Sequence, residues 1–464
     1  MKIKVGAKLK ISDPSNDVKR WCEKNLIIDN PEYYKKLNMG KYVGKTPSTI
    51  CLYERVGNEY WIPFGCVRKI YSLSNENDEW SKEEIAEYRH IDYRSEIKPY
   101  DYQEEAILKG IKAKNGVLVM PCGSGKTQCG LEIIARLGYR ALWLTHTQDL
   151  LNQSRKRAES VLGYTGTGVI TEGKVDIGKG ITFATIQTMS KLDLGQYKNE
   201  WDIIIVDECQ HCCGTPTKVT QFYKVVSNLA ARYKIGLTAT PKRADVLERC
   251  MFVLLGEVIH EVGRDAVAHT TCHVRIKQIE TGWFPDYDCV LMGDGTIDYN
   301  KVVDNMIRDK NRFMLVLSTI AGTYQEGATL VLANRVEYLD KLCDAYNDAQ
   351  FGSAVCLSSL GHSKKAKAER KKALDALNNS EIDCIFATYQ LAKEGLDVPN
   401  LRYVIFATPE KDETTVVQSV GRVGRKADGK KYGTVIDFVD DFGMYRGWAR
   451  QRQTYYNKID AEVL

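Results

Sequence analysis

Short apolar runs recur along this chain at intervals long enough for a helix to cross back over a sheet, and this alternation constrains the fold more than any other feature. Val117 to Met120, Ala141 to Thr145, Ile181 to Thr185, Ile203 to Val206 and Ile235 to Thr238 are near-continuous apolar stretches, as expected of strands buried on both faces of a parallel sheet. They predict one doubly wound α/β domain ending near Val262. Thr329 to Leu332, Ala354 to Leu357, Asp383 to Ala387, Tyr403 to Ala407 and Gly433 to Asp437 form a second series and predict a second domain of the same class. The expected organisation is a small accessory domain over residues 1–96, one α/β domain over 97–262, and another over 263–464 that includes a C-terminal helical tail.

The first run leads into Met120 to Thr127, reading MPCGSGKT, and then into a helix-like segment from Gln128 to Leu137. A strand that breaks into a glycine-bearing loop and starts a helix converges backbone N–H groups on one point, which suits a nucleotide's phosphates. Pro121, Cys122, Gly123, Ser124 and Gly125 would form that cradle, Lys126 would reach the β and γ phosphates, and Thr127 would give its hydroxyl to Mg²⁺. Met120 stands where the strict loop pattern has its first glycine. The run Ile203 to Val206 ends in Asp207-Glu208, which supplies the second half of such a site. Asp207 would hold Mg²⁺, and Glu208 would polarise the water that attacks the γ phosphate.

The second series contains no glycine-lysine loop. Two α/β domains with one phosphate loop suggest a nucleotide held in a cleft, with charge supplied by the second domain. Arg422 and Arg425, three apart on a segment of helical spacing, would project on one face and stabilise transition-state charge. An exposed basic helix making surface ion pairs has the same spacing.

Composition bounds the rest. In 464 residues, 65 basic side chains stand against 60 acidic ones, a net charge of +5, which is compatible with nucleic acid without demanding it. No apolar segment is as long as a membrane span and the start lacks a signal peptide's apolar core, so a soluble, cytoplasmic protein with no membrane partner is expected. The fourteen cysteines are scattered and read as reduced thiols. Cys209, His211, Cys212 and Cys213 cluster after Glu208, but Cys250 and Cys272 do not make the second ligand pair that zinc requires. The stretch reads better as the edge of the nucleotide site, with Gln210 or His211 touching the γ phosphate.

The order of YDYQ, PCGSGKT, LTHTQDLL, FATIQTMS, VDECQH, GLTATPKR, VLANRVEYL, ATYQLAKEGLDVP and QSVGRVGR over residues 98 to 440 resembles superfamily 2 DNA helicases. The nearest likeness is to phage branch-migration helicases of the UvsW type, RecG-like enzymes and repair-factor helicases. The resemblance implies two tandem RecA-like domains, ATP and Mg²⁺ as cofactors, and DNA as partner, forked, branched or single-stranded. It implies that Gln103 reads adenine, that Thr238 and Thr240 couple the ATP site to the nucleic-acid path, that Gly395 and Asp397 face ribose and phosphates, and that Gln418 completes the site with Arg422 and Arg425. Backbone clamps on the nucleic acid would come from Thr145, His146, Gln148, Thr185, Gln187, Asn334, Arg335, Thr388 and Tyr389. Threonine and asparagine after strands also serve as helix caps.

The chain departs from the family pattern in two places. Tyr100 stands where a basic residue usually precedes the adenine-reading glutamine, and the DECQ box puts Gln210, which cannot ionise, where many relatives have aspartate or histidine. The basic run from Lys364 to Lys372 reads as a solvated helix face, and the aromatic-basic tail from Arg446 to Lys458 as packing. Residues 1–96 read as a duplex-gripping domain by analogy or equally as a docking module. The expected function is ATP-driven unwinding or translocation, 3′ to 5′, on forked or branched DNA in recombination, repair or replication, in a bacterial or phage-infected cytosol. A duplex pump of a restriction system, and an ATP-switched clamp or RNA helicase, are the alternatives.

Overall fold

A computed structural model describes residues 1–82, 90–164, 166–212, 220–241, 248–268, 271–293, 295–324, 326–361, 363–393, 396, 398, 400–427 and 429–464. The chain divides into two compact units, Met1–Gly263 and Arg264–Leu464.

The first unit is built on an eight-stranded sheet. Its strands run in the order Lys174–Asp176, Gly168–Thr171, Ile181–Thr185, Ala141–Thr145, Ile203–Asp207, Tyr233–Thr238, Asn115–Val119 and Val258–Glu261. Every pairing is parallel except that of the edge strand Lys174–Asp176. Each apolar run of the first series is one of these strands, fully buried because helices cover both faces. Chain order and spatial order differ: Tyr233–Thr238 lies between the phosphate-loop strand and Ile203–Asp207. The strand ends carrying Met120, Thr238 and Asp207 are therefore side by side, as open α/β sheets arrange their ligand sites.

The N-terminal segment folds as an antiparallel-rich sheet, Glu54–Val56, Glu59–Pro63, Lys8–Ser12, Lys2–Val5 and Glu79–Lys82, whose apolar side shares a core with Cys250 and Val253 of the helix Glu248–Leu255. Gly65 marks the closest approach, because a Cβ there would stand 2.4 Å from the Phe252 carbonyl oxygen. Lys234 crosses the same boundary. It is fully buried, donates to the carbonyls of Val226 at 3.0 Å and Ala7 at 3.5 Å, and lies 4.9 Å from the Phe64 ring centre.

The second unit holds a seven-stranded, wholly parallel sheet in the order Ala354–Cys356, Cys384–Thr388, Thr329–Ala333, Tyr403–Phe406, Tyr432–Val439, His273–Glu280 and Glu462–Val463. Two arginines brace one end of it. Arg312 forks onto Asp440 at 2.7 and 3.0 Å, and Arg452 forks onto Asp437 at 2.9 and 2.7 Å, with all four residues buried. Arg452 belongs to the tail helix Gly443–Lys458, so the tail packs on its own sheet.

Both sheets display the α/β, doubly wound class expected from the two series of runs. Among the described residues no helix is long and apolar enough to cross a membrane.

Candidate nucleotide and nucleic-acid site

The strand Asn115–Val119 ends at Met120, whose N–H donates to the Thr238 carbonyl at 2.8 Å. Gly123 and Gly125 then adopt φ of 81° and 79°, a left-handed conformation that costs a side chain but not glycine. This turns the loop back so that the helix Lys126–Leu137 begins directly after Gly125. Its first N–H groups and Thr127 thus sit where the helix dipole favours an anion. Lys126 folds over the loop, with Nζ 3.5 Å from the Met120 carbonyl. Ser124 is buried, and its Oγ has no hydrogen-bond partner among the described residues. A buried hydroxyl left unpaired in a glycine-turned loop fits a phosphate acceptor.

The loop is held from behind by the helix Asp101–Ala113. Gln103 is buried, with Nε2 donating to the Ser124 carbonyl at 2.8 Å and Oε1 accepting from the Tyr100 N–H at 3.0 Å. The Tyr102 hydroxyl donates to the same Ser124 carbonyl at 3.1 Å, a support that sequence reasoning missed, although Tyr102 is in the YDYQ stretch. A Cβ on Gly125 would meet Gln103 Nε2 at 2.5 Å, so the glycine serves both the turn and this close approach. Tyr100 is half exposed and its ring stacks on that of Tyr102.

Asp207 and Glu208 follow the central strand. Asp207 is buried, and desolvation together with the Glu208 charge raises its carboxyl well above the ordinary range, against the lowering influence of Lys126. The Lys126 charge does not offset burial and Glu208, and a divalent cation would supply the remaining positive charge; the Asp207 carboxylate and the Thr127 hydroxyl are oxygen donors of the kind Mg²⁺ takes. Glu208 takes φ of 51°, and its Oε2 accepts from Gln210 Nε2 at 2.8 Å. Gln210 is itself buried, and its Oε1 accepts from Thr238 Oγ1 at 2.7 Å. Thr238 Oγ1 in turn lies 3.1 Å from the Thr240 carbonyl and 3.0 Å from the Thr240 N–H. Gln210 thus links Glu208 to the end of the next strand, a use the sequence reading did not foresee. His211 packs against His146 with ring centres 4.2 Å apart and the planes tilted by 38°. Burial lowers the His146 pKa although the Glu208 charge opposes this, and His146 Nδ1 has no partner among the described residues.

The expected nucleic-acid contacts of this unit gather at the neighbouring strand ends. Thr145 and Thr185 are buried, with hydroxyls on the Thr147 carbonyl at 3.0 Å and Thr188 Oγ1 at 3.1 Å. Thr171, which sequence reasoning missed, joins Gln148 to Thr185 through its hydroxyl. Gln187 is exposed and donates to the His146 carbonyl at 2.7 Å. The helix cap after Thr145 is Thr147.

In the second unit, the Asn334 N–H donates to Thr408 Oγ1 at 3.0 Å, and its Nδ2 donates to the Pro409 carbonyl at 3.2 Å. Arg335 is partly exposed and donates to Asn300 Oδ1 at 2.9 Å. Thr388 Oγ1 accepts from the Leu391 N–H at 3.3 Å, as a cap. Tyr389 is buried with its hydroxyl on the Thr408 carbonyl at 2.6 Å, so its polar tip is already used in the core. Gln418 and Arg422 lie on the helix Glu413–Val423, where the Arg422 guanidinium donates to the carbonyls of Leu396 and Ala392. The expectation that Arg422 and Arg425 share a helical face is corrected: the helix ends at Val423, Gly424 caps it, and Arg425 pairs in an isolated bridge with Thr271. Gly395, Asp397 and Cys213 lie outside the described residues.

Comparison with known proteins agrees with this arrangement. The family described as "Type III restriction enzyme, res subunit" matches residues 96–243, and the helicase conserved C-terminal domain matches residues 310–427. A putative ATP-dependent RNA helicase of Acanthamoeba polyphaga mimivirus is 26% identical, over 79% of this chain and 68% of its own length. A DNA 3′-5′ translocase named XPB2 from Sulfurisphaera tokodaii is 25% identical, over 75% and 82%. The ATP-dependent DNA helicase uvsW of Enterobacteria phage T4 is 21% identical, over 87% and 80%. Among solved structures, a fragment of a putative HsdR subunit of a type I restriction enzyme from Vibrio vulnificus superposes with a TM-score of 0.58 at 19% identity, covering 80% of this chain and 68% of that one. With two parallel-sheet units, a phosphate loop joined to a DECQ box and relatives that are themselves helicases, the chain belongs to the superfamily 2 helicases.

Proposed function

We propose that this chain is an ATP-dependent DNA helicase or translocase that moves 3′ to 5′ and acts on forked or branched DNA in recombination, repair or replication, in a bacterial or phage-infected cytosol. The observation that carries the reading is the hydrogen-bonded line from Glu208 through Gln210 and Thr238 to Thr240. It ties the carboxylate suited to hydrolysis to a strand end whose neighbours bear the polar side chains suited to a nucleic-acid backbone. A relative named for 3′-5′ DNA translocation supports the choice of substrate and direction.

In this mechanism the N–H groups of Gly123 to Thr127 and the Lys126 ammonium hold the phosphates of ATP, while Ser124 Oγ gains the partner it lacks. Thr127 and Asp207 would hold Mg²⁺, which would supply positive charge against the phosphates. Glu208 orients and accepts a proton from the attacking water. A change in the hydrogen bond between Glu208 and Gln210 then passes to Thr238 and Thr240. Gln418, Arg422 and Arg425 are assigned to turnover. Thr145, His146, Gln148, Thr185, Gln187, Asn334, Arg335 and Thr388 are assigned to strand contact, and Tyr389 is left out because its hydroxyl is committed to Thr408.

The test is ATP hydrolysis by the full chain with no nucleic acid, single-stranded DNA, blunt duplex, forked DNA and RNA, beside Glu208→Gln. Stimulation greatest with forked or branched DNA, and lost in the variant, is the expected result. A second reading, a pump that moves along duplex without separating it, is favoured by the restriction-enzyme family that matches residues 96–243; equal stimulation by blunt duplex would favour it. Stimulation by RNA alone would overturn the choice of DNA.

A further inference from the structure

The segment 30–48 stands out from the N-terminal sheet. Its base is pinned. The short strands Ile27–Asp29 and Thr49–Cys51 pair antiparallel, the Asn30 N–H donates to the Ser48 carbonyl at 2.9 Å, and Asn30 Nδ2 donates to the Pro47 carbonyl at 2.8 Å. Beyond this clamp the chain forms the helix Pro31–Asn38, capped by Asn30, and a loop turned by Gly40 and Gly44 at φ of 62° and 54°. The helix buries none of its residues.

A helix of this length draws its stability in proteins from packing one apolar face. Here that apolar surface is turned to solvent: Leu37 is 53% exposed, Met39 57% and Tyr42, at the loop tip, 92%. Tyr42 thus presents an aromatic ring to solvent on a pinned base. The charge of the segment says which kind. Residues 31–46 hold four lysines, Lys35, Lys36, Lys41 and Lys45, against the one acid Glu32, a net +3 where the whole chain carries only +5. Glu32 is paired to Lys36 at 3.0 Å, and Lys36 also donates to Thr46 Oγ1 at 2.8 Å, so Lys36 braces the arm. Lys41 and Lys45 are exposed on either side of Tyr42.

We propose that residues 31–46 form an arm that grips a single nucleic-acid strand, with Lys41 and Lys45 on successive phosphates and Tyr42 stacked on an unpaired base. Alternating lysine and aromatic side chains suit such a strand, because every base offers a π face and every phosphate a charge. Duplex DNA hides its base faces, so stacking by Tyr42 selects unpaired nucleotides. The inference rests on the reading of the chain as a nucleic-acid motor and adds to it a contact on a segment that belongs to neither matched helicase region.

The test is binding of a fluorescein-labelled oligothymidine to the full-length protein, followed by anisotropy over a series of salt concentrations. Tyr42→Ala is expected to weaken binding by about ten-fold, the scale of one lost base–aromatic stack, and Tyr42→Trp to retain it. The pair Lys41→Ala and Lys45→Ala is expected to flatten the dependence of log affinity on log salt by about 1.4, the value for two phosphate contacts on a single strand. An unchanged thermal midpoint establishes that each variant folds. Affinity and salt slope equal to those of the wild type in all variants would overturn the arm and return the exposed face to a protein partner. Wild-type protein that itself binds no oligonucleotide would overturn the motor reading beneath it as well.

Discussion

Gln210 donates to the Glu208 carboxylate at 2.8 Å while its own amide oxygen accepts from Thr238. A glutamine can hold both bonds at once without changing charge, so the link between hydrolysis and the neighbouring strand does not depend on protonation. Thr238→Val keeps the shape and removes the donor. It is expected to leave ATP affinity near the wild-type value and to lower strand separation by about ten-fold or more, since the loss of one buried hydrogen bond is on the order of 1–3 kcal/mol. Parallel assays of ATP hydrolysis and unwinding check this, with unwinding falling further than hydrolysis.

Asp207 gives a dependence on pH. Its folded-state pKa is raised, by burial first and by Glu208 second. A raised carboxyl contributes stability that is complete below its ordinary value and is lost as pH rises through the folded value. The protein free of nucleotide and divalent cation is therefore expected to lose thermal stability as pH climbs from the ordinary carboxylate range toward neutrality. Asp207→Asn should flatten that slope and raise the midpoint at neutral pH while abolishing turnover. Thermal melts in the presence of a chelator across pH provide the measurement.

Lys234 acts in the opposite sense. Burial pushes its pKa down to about 7, so between that pH and the ordinary lysine range the unfolded chain binds a proton that the folded chain does not. Stability is expected to rise with pH across that window. Lys234→Met should remove this part of the slope and raise the midpoint near pH 7, because the methylene stem is replaced and the cost of burying charge is not. The same melts, extended upward in pH, read it.

The fork of Arg312 on Asp440 is wholly buried. Arg312→Met strands a carboxylate in the core of the second unit and is expected to destabilise it by about 3–5 kcal/mol. Pairing it with Asp440→Leu should recover most of that loss. Denaturant unfolding of the two variants against wild type decides the matter.

Much of the fold is legible in the residues because strands buried on both faces leave no choice but an unbroken apolar run, as in Ile203 to Val206. Gly168–Thr171 escapes although it is fully buried, because glycine and threonine leave only two apolar residues between them; other strands escape because they are not buried on both faces. His273–Glu280 buries only Ile276 among its eight residues, and Val258–Glu261 is an edge strand with His260 and Glu261 partly in solvent. The phosphate loop is visible because glycine and lysine at that spacing have few other uses. The Gln103 and Tyr102 bonds to the Ser124 carbonyl are invisible, since they join segments that only the folded sheet brings together. Helical spacing placed Arg425 beside Arg422, whereas Gly424 ends the helix between them. The pairing of Arg312 with Asp440 spans the unit and leaves no local signature.

Strand separation tests the central claim most directly. A forked DNA with a 3′ single-stranded tail on one strand, and its counterpart with only a 5′ tail, are incubated with the full chain, ATP and Mg²⁺, beside Glu208→Gln. ATP-dependent unwinding of the 3′-tailed fork, absent in the variant and weak on the 5′-tailed one, is the expected result. Hydrolysis stimulated by DNA with no separation of either fork would contradict it and leave a motor that moves along duplex without opening it.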